Sequence, residues 1–579
     1  MPVMRIRYRM AEGGLMVLGP KEMTSHKALR RAKGVAGKRS RSFLLRSGSA
    51  LVANEDAHSL IYWNDTVYAG VTTKFRRITG GAADIVTGLN GERLTFCAMP
   101  PTSGYPDALF VAGGGVGKLF KIHVAGVVYN WGIAPPPTTL AAALGGAGNL
   151  KGNYTYYYTF YSSATGSESN PFPIPVEITA NNQQVNLSSI DVSADVQVTR
   201  RRVYRTVGNG AVPFLLTEIA DNVTTVYVDN IPDTDLQSFE LQFDNLSPSD
   251  SGFDFRECVT MPHLGRMWWT RDLATGHGGR IYYSPVGRAE AVQGYIEPAS
   301  NDDSIQRIVV WNGSLYGFSK NRVFEVVGFE PPFSYRDITG SVGTEWPWTV
   351  VPTPKGIIYR SRDDEFLKFN GVMSESLEPG ALGYLLKGQT LENFTGGFAG
   401  QYAGFGDDEY WVGDGNATTL CLFLGNANNP PSWRELGGLG LKALYTTAAG
   451  VVGVSAGGKI LAFSDISLTT DGGTAIPYEL EVTSVESDPV TQGVLQRVLI
   501  EHNTGNQAMT PTLILDTGNQ VLANFTSNAR VTTEYATSFA NRLLGIRITN
   551  AGLNAAMEIF EIAIDLYIPA QERQPFQAP

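Results

Sequence analysis

A short aromatic hairpin motif occurs three times in this chain of 579 residues. Residues 63–68 read WNDTVY, residues 311–316 read WNGSLY, and residues 369–372 carry a shorter copy, FNGV. Asn and Gly tolerate the positive φ angles of a two-residue primed turn, so each copy predicts two antiparallel strands joined by a tight turn. Because a single hairpin cannot bury its own apolar face, the repeated hairpins predict a β-propeller or a similar array of small sheets.

The composition favours an all-β fold. The chain holds 64 Gly and 31 Pro, and only 17% of its residues are charged, which is typical of many short strands joined by turns, with few helices. Its three cysteines, Cys97, Cys258 and Cys421, lie far apart in apolar or strand-like stretches. This spacing predicts buried thiols rather than a disulfide framework or a zinc cluster.

Two segments carry the propeller pattern. Residues 43–137 contain short β-like runs closed by Gly, Asn-Gly or Pro-Pro, and they end at the stiff triplet Pro-Pro-Pro. The same pattern resumes over residues 251–470. Together the two segments hold strands for about five or six blades of four strands each. If the two ends of this array pair within one blade, the ring closes around whatever is inserted between them.

Two further segments predict sandwiches. In residues 138–250, aromatic residues alternate with other residues at Tyr154, Tyr156, Tyr158 and Phe160, and β-like runs follow about a dozen residues apart. This pattern predicts an inserted immunoglobulin-like or fibronectin-III-like sandwich. Longer strands over residues 471–579 predict a C-terminal antiparallel β-sandwich and a frayed tail.

Residues 1–42 are predicted to form a basic N-terminal arm. The first fifty residues hold twelve Lys or Arg against two Glu, a net charge of +10, which leaves −20 for the rest of a chain whose total is −10. A basic arm on an acidic body predicts binding to nucleic acid or to an acidic protein surface, and a merely solvated tail is the alternative.

The sequence predicts neither export nor a membrane span. No stretch approaches the roughly 18 apolar residues that cross a bilayer. Three arginines near the start precede an apolar run of only four residues, which is too short for a secretory signal. We therefore expect the newly synthesised chain to be cytosolic.

Sequence motifs for catalysis are weak. Residues 112–118 resemble a phosphate-binding loop but lack its first Gly and its Ser or Thr, so they predict a turn between strands. The six histidines show no zinc-helix spacing. Acidic clusters at 302–303, 363–365 and 407–409 predict polar blade tips, although a propeller glycosidase also draws its two carboxylates from separate blades. The pair Trp268 and Trp269 predicts a blade core or subunit contact rather than a sugar-stacking surface, as do Trp346 and Trp348.

Four phrases of the sequence resemble a known family. They are ALFVAGGG at 108–115, NWGIAPP at 130–136, YTYYY at 154–158 and RRVYRT at 201–206. With the aromatic hairpins, they are similar to the tail nozzle or tail-hub proteins of short-tailed bacteriophages, which are also called packaged-DNA stabilisation proteins. The resemblance covers most of residues 43–470.

This resemblance implies a structural virion protein. Such a protein forms a homohexameric ring at the end of the head-to-tail connector, below the portal and its adaptor, and genomic double-stranded DNA passes through its channel without sequence-specific binding. The implied partners are the adaptor and the tail fibre or tailspike proteins. The implied location is the virion tail, assembled in the host cytoplasm. An acidic body repels phosphate, which suits DNA that must slide out. We expect no catalytic residue, cofactor or metal.

The basic arm is the candidate docking element. We expect charge-assisted contacts to the adaptor or to a neighbouring subunit from its arginines. These are Arg5, Arg7, Arg9, Arg30, Arg31, Arg39 and Arg41.

A sugar-binding or glycoside-cleaving β-propeller that acts at a cell envelope is the alternative function. It predicts a monomer with carboxylates or aromatic rings around an open central pocket, whereas a nozzle predicts a closed ring with an axial channel. A surface adhesin is a third hypothesis, and the missing export signal makes it less favoured.

Overall fold

The structure of the protein is a computed structural model. It describes residues 3–8, 29–33, 35–37, 43–46, 49–99, 107–123, 126–249, 251–259, 264–338, 340–377, 395–399, 408–416, 418–424, 432–447, 450–464, 467–483, 494–515, 517–539 and 543–567. Across these residues the chain is built from β-strands, and the helical segments are two 3-10 turns, Asp233–Asp235 and Pro347–Thr349. The all-β prediction is confirmed.

The strands divide into a propeller, an insert and a C-terminal module. Those that precede the first complete blade are β1 (Val3–Tyr8), β2 (Leu29–Lys33), β3 (Val35–Gly37), β4 (Phe43–Leu45) and β5 (Ala50–Asn54). Blade 1 consists of β6 (Ala57–Trp63), β7 (Thr66–Val71), β8 (Lys74–Arg77) and β9 (Ala83–Thr87). Blade 2 consists of β10 (Thr95–Met99), β11 (Ala108–Ala112), β12 (Phe120–His123) and β13 (Val128–Asn130). The insert contains β14 (Ala141–Tyr161), β15 (Val176–Ser188), β16 (Arg200–Thr206), β17 (Pro213–Ile219) and β18 (Tyr227–Asp229).

The remaining blades follow the insert. Blade 3 consists of β19 (Glu257–Val259), β20 (Trp268–Asp272), β21 (His277–Tyr283) and β22 (Gly294–Ile296). Blade 4 consists of β23 (Ile305–Trp311), β24 (Ser314–Ser319), β25 (Val323–Val327) and β26 (Ser334–Asp337). Blade 5 consists of β27 (Val351–Thr353), β28 (Gly356–Arg360), β29 (Phe366–Phe369) and β30 (Ser374–Ser376). Blade 6 consists of β31 (Thr395–Ala399), β32 (Glu409–Gly413), β33 (Thr419–Phe423) and β34 (Ser432–Glu435). Blade 7 takes β35 (Leu441–Thr447), β36 (Gly450–Ser455) and β37 (Lys459–Phe463) and adds β5 as its fourth strand.

The C-terminal module completes the chain. Its strands are β38 (Thr470–Asp471), β39 (Thr474–Thr483), β40 (Val494–Asn503), β41 (Thr510–Leu515), β42 (Gly518–Val521), β43 (Val531–Phe539), β44 (Leu543–Leu553) and β45 (Glu558–Tyr567).

The first two copies of the aromatic motif form the predicted turns. Asn64 and Asp65 both have positive φ, at 46° and 55°, between β6 and β7. Asn312 and Gly313 repeat this geometry, at 52° and 83°, between β23 and β24. These are equivalent positions of blades 1 and 4, whereas the third copy lies between the outer strands of blade 5, where Asn370 N–H donates to Met373 O across a longer loop.

The seven blades close into a ring. Strand β5 pairs with β37, so the first strand of the propeller completes its last blade. Each neighbouring pair of blades shares a buried apolar cluster, and this holds between blades 7 and 1 as well. The expected pairing of the array's ends within one blade is therefore observed, but the predicted five or six blades are corrected to seven. The sequence pattern did not predict blade 7, because its fourth strand, β5, lies about four hundred residues before the other three.

The insert leaves blade 2 and returns to blade 3. It forms one antiparallel sheet in the order β17-β16-β14-β15-β18, and register shifts at Leu144, Ala147 and Leu150 bend the long β14–β15 hairpin. The sheet curls around one core, which includes the alternating aromatic residues of β14. The insert is thus a half-barrel made from a single folded sheet, where the sequence predicted two stacked sheets.

A buried ion pair fixes the insert to the propeller. Lys121 of blade 2 pairs with Glu290 of blade 3, and its Nζ donates to Ser167 Oγ of the insert at 2.7 Å. Trp131, at the start of the insertion, is fully buried and donates its indole N–H to Ala289 O at 3.3 Å. The insert is therefore held by both blades that flank it.

The C-terminal module is a sandwich that includes the N-terminal strands. One sheet has the order β3-β4-β45-β40-β43, with β1 paired to β45. The other contains β2-β39-β44-β41-β42 and continues through β34 into blade 6. One apolar cluster fills the space between the two sheets and extends to Ile358 and Phe366 of blade 5.

The N-terminal arm is accordingly corrected. Its described parts are strands of the C-terminal sandwich and do not form a separate arm. The register places Arg5 opposite Asp565 and Arg7 opposite Ala563. Sequence patterns missed this because the partner strands lie more than four hundred residues away, and long-range pairing leaves no local signal.

Candidate functional site

An axial cavity is the candidate functional site. The first strands of neighbouring blades contact one another around the ring, so they surround the propeller axis. They enclose a cavity of about 170 Å³. Residues from six of the seven blades line it: His58, Ser59, Leu60, Arg93, Leu94, Thr95, Phe96, Cys258, Arg307, Trp348, Val350, Val351, Ala443, Leu444 and Tyr445. Most of them lie near the points at which these first strands begin.

Two arginines and a tryptophan dominate the wall of the cavity. The guanidinium carbon of Arg93 lies 5.5 Å from the centroid of the Trp348 ring, and that of Arg307 lies 5.2 Å from it. Both distances are within the range of cation–π attraction. Arg93 also donates from Nη2 to Lys442 O at 2.7 Å, which fixes its side chain against blade 7. Desolvation lowers the pKa of Arg93 to about 10, so it remains charged at neutral pH.

His58 lies beside these cations. Its Nδ1 is 2.8 Å from Ser59 Oγ and its Nε2 is 3.1 Å from Thr72 O. Burial lowers the pKa of this imidazole, the hydrogen bond to Thr72 O opposes the change, and the charges of Arg93 and Lys442 lower it further. With its pKa lowered from 6.5, mainly by burial, the imidazole is mostly neutral at pH 7.

The hydroxyl groups of the wall bond to other wall groups. Ser59 Oγ accepts from Leu94 N–H at 2.8 Å, and Thr95 Oγ1 donates to Arg256 O at 2.6 Å. Among the described residues that line the cavity there is no Asp or Glu. The charged groups among these described residues are the guanidiniums of Arg93 and Arg307.

The described members of the acidic clusters do not line the axial cavity. Asp303 accepts from Arg322 and Asn321 on blade 4, and Asp364 lies in a turn of blade 5 beside Arg360. Glu409 is buried in blade 6, where it accepts from Trp411 Nε1 at 2.8 Å. These partners give all three carboxylates structural contacts within their own blades. Asp407 lies outside the described residues.

The aromatic pairs divide between core and cavity. Trp268 and Trp269 are fully buried in blade 3, and Trp346 is buried between blade 5 and its neighbours, as expected for core residues. Trp348 is the exception, since it lines the cavity. The phosphate-loop-like residues 112–118 connect β11 to β12, which confirms the predicted turn.

No metal site is found in the described part of the chain. Groups of three or more His, Cys, Asp or Glu placed to hold a metal ion are absent there. Cys97, Cys258 and Cys421 are buried, as predicted. Across the same residues, no helix combines the length and apolar character needed to span a bilayer.

The predicted docking arginines are only partly described. Arg5 and Arg7 lie on β1, and Arg30 and Arg31 lie on β2. The others fall outside the described residues: Arg9, Arg39 and Arg41. Their docking role stays a prediction.

Sequence reasoning missed the cavity residues. His58, Arg93, Arg307 and Trp348 are separated by up to about three hundred positions and belong to no motif. These residues share one feature, since each lies at or near the start of a blade's first strand. This feature can be recognised in the sequence only after the blades have been assigned correctly.

Comparisons with known proteins give distant structural similarities. No protein-family model and no curated protein matches the chain. The designed protein Ika8 is 10% identical, with a TM-score of 0.32 over 72% of this chain and 99% of its own. BamB from Moraxella catarrhalis is 12% identical, with a TM-score of 0.33 over 73% of this chain and 98% of its own. An exo-beta-1,3-galactanase from Phanerochaete chrysosporium is 10% identical, with a TM-score of 0.19 over 90% of this chain and 100% of its own. At these TM-scores the similarities assign no function.

Proposed function

We propose that this chain is a structural virion protein, a tail nozzle or hub of a short-tailed bacteriophage. It would form a ring with an axial channel that retains and then releases the genome, docked on the portal-adaptor complex. The observation that carries the proposal is where the family-like phrases fall. Residues 108–115 form β11 and the following turn of blade 2, 130–136 lead into the insert, and 154–158 and 201–206 lie on its central strands β14 and β16. The phrases thus encode the junction of propeller and insert.

The way in which the chain closes on itself suits a mechanical role. The β5–β37 ladder closes the propeller, and β1, β2 and β4 attach the N-terminal region to strands near the opposite end of the chain. Arg46 and Asp471 form a buried ion pair next to β5. Separating the propeller ends therefore requires breaking several backbone hydrogen bonds together with a buried ion pair. This resistance to opening suits a protein that must keep its shape under mechanical load.

The charge distribution supports a channel whose wall does not bind DNA tightly. The net charge of the chain is −10, so its overall field repels phosphate, and binding through counterion release is weak. The basic N-terminal segment is partly built into the C-terminal sandwich. We accordingly place the adaptor-docking surface on that module, where the clustered positive charge would meet acidic partner groups.

Neutralisation of the arginines tests this docking surface. A variant with all seven predicted docking arginines changed to Gln should fail to join the connector while the propeller keeps its melting temperature. A matched variant with seven arginines neutralised on the blades should still join. Normal joining by the first variant would remove the docking role.

Solution mass distinguishes the nozzle from the glycan-active alternative. Mass photometry of the full chain, alone and with its connector partner, should give a ring of about six copies, the number implied by the resemblance. A panel of oligosaccharides should be neither bound nor cleaved. A persistent monomer that hydrolyses or binds a glycan would replace this proposal with the glycan-active propeller.

A further inference from the structure

We infer that residues 237–243 of the insert, here named the docking edge, bind an extended basic segment of a partner protein as an added β-strand. The docking edge lies between β18 and blade 3, and most of its residues are exposed. Its unpaired backbone, its exposed aromatic rings and the negative charge around it all point to this kind of partner. The site does not depend on the proposed role of the chain in a virion tail.

The docking edge extends the sheet of the insert beyond β17. Leu241 N–H donates to Pro213 O at 3.0 Å, and Leu215 N–H donates to Phe239 O at 2.8 Å. The pairing with β17 is antiparallel. The odd-numbered residues of the docking edge therefore direct their backbone groups towards β17.

The opposite side of the docking edge is unpaired. Because successive residues of a strand direct their backbone groups to opposite sides, the even-numbered residues face away from β17. These residues are Ser238, Glu240 and Gln242, and all three are exposed. In the described part of the chain their backbone groups bond to no neighbouring strand, and Glu240 O accepts from Gln242 Nε2 at 3.2 Å. Such a row of unpaired N–H and C=O groups is a template on which an extended peptide can add a strand.

Two exposed aromatic rings lie on one face of the docking edge. Phe239 and Phe243 are 46% and 56% exposed, whereas Leu241 between them is buried in a cluster with Tyr204. The ring of Phe243 also meets that of Tyr157 edge to face, with centroids 5.6 Å apart. These contacts hold the segment in place before a partner arrives, which lowers the ordering cost of binding. The exposed part of each ring is left for side chains of an added strand.

Negative charge around the docking edge favours a basic partner. Residues 138–250 hold twelve Asp or Glu against five Lys or Arg. Asp235 and Glu240 form no ion pair with a described residue, whereas Arg202, which approaches Phe239, already has two carboxylate partners. A Lys or Arg opposite Glu240 would meet this charge, and apolar residues on either side of it would cover the two rings. The occupant is therefore a segment in which apolar and basic residues alternate.

Fluorescence anisotropy with a labelled peptide tests the docking edge in the intact chain. The probe has eight residues of alternating Val and Lys, and the control peptide has Glu in place of Lys. We expect saturable binding of one Val-Lys peptide per chain and binding of the control that is weaker by about fivefold or more, because like charges opposite each other on neighbouring strands repel. Glu240→Lys should weaken binding of the Val-Lys peptide to a similar extent. The matched variant Glu330→Lys, on an exposed loop of blade 4, should leave the affinity unchanged.

N-methylated peptides distinguish strand addition from simple charge attraction. Methyl groups on the Val nitrogens, or on the Lys nitrogens, remove the N–H donors from one edge of the probe and leave its charge unchanged. Because one edge of an added strand faces the insert, one of the two methylated peptides should lose binding and the other should keep it. Near-ultraviolet circular dichroism verifies that each protein variant is folded. Absence of saturable binding by the wild-type chain would overturn the inference, as would equal affinity of the methylated and unmethylated peptides or an unchanged affinity of folded Glu240→Lys protein.

Discussion

The buried pair of Arg46 and Asp471 gives the sharpest test of how the propeller ring is closed. Arg46 Nη1 donates to Asp471 Oδ1 at 3.0 Å, and Nη2 pairs with the other carboxylate oxygen. Ser49 Oγ donates to the same carboxylate at 3.0 Å, and Arg46 Nε donates to Leu436 O. The side chain of Arg46 is fully buried and that of Asp471 is 9% exposed. The cluster joins three segments of the chain. Arg46 and Ser49 precede β5, Leu436 precedes blade 7, and Asp471 follows blade 7.

Removal of one partner should be costly. Asp471→Asn leaves the guanidinium buried against an amide whose NH2 group faces another donor. Breaking a buried ion pair on one side costs about 3–5 kcal/mol. The double variant Arg46→Met/Asp471→Leu removes both charges and should recover at least about 1 kcal/mol of the single variant's loss, because the two effects are coupled. Lys74→Gln, which breaks an exposed pair on blade 1, should cost less than about 1 kcal/mol.

Hydrogen exchange resolves this effect at the ring closure. A chain of this size does not unfold in a single two-state step, so local amide protection is a better measure than one melting temperature. Asp471→Asn should accelerate exchange in β5 and β37 by roughly a hundred-fold or more, since each 1.4 kcal/mol is a factor of ten. Strands of blade 4, across the ring, should change much less. A loss of local stability below about 1 kcal/mol at β5, or a double variant less stable than the single one, would contradict this prediction.

Three further predictions concern packing and pH. Trp131→Ala should cost about 3–5 kcal/mol by leaving a cavity between blades 2 and 3, measured by denaturant unfolding of the propeller. Gly413→Ala should lower the melting temperature because a Cβ there overlaps Leu441 O, whereas Gly457→Ala has open space and should not. Burial lowers the pKa of His502 below its usual 6.5, so the unfolded chain takes up a proton before the folded sandwich does. Its contribution to stability should therefore be complete above pH 6.5 and decline as the pH falls towards the lower folded pKa, and His502→Phe should remove this share of the pH dependence in thermal melts.

Local sequence patterns predicted the elements whose physics is local. The primed turns at Asn64 and Asn312 follow from residues that tolerate positive φ, and the aromatic alternation of β14 follows from one buried face. The position of the insert also followed from the change of pattern after the proline triplet. Each of these features is decided by neighbours a few residues apart.

The features that the sequence did not predict depend on distant partners. Strand β2 bridges blade 6 and the C-terminal sandwich by pairing with β34 and β39, and nothing in Leu29–Lys33 specifies either partner. Blade 6 begins with Thr395–Ala399, a glycine-containing strand without clear alternation. The cavity was not predicted either, because its lining residues come from six blades and lie together only after the ring has brought the first strands together.

We propose that this propeller is one subunit of a ring and acts by shape. Single-particle electron microscopy of the full chain, mixed with the connector onto which we propose it docks, tests this claim most directly. We expect six-fold rings of subunits around a channel wide enough for duplex DNA. Every subunit should show seven blades, with a half-barrel between the second and third. Solitary propellers that never associate with the connector would contradict it.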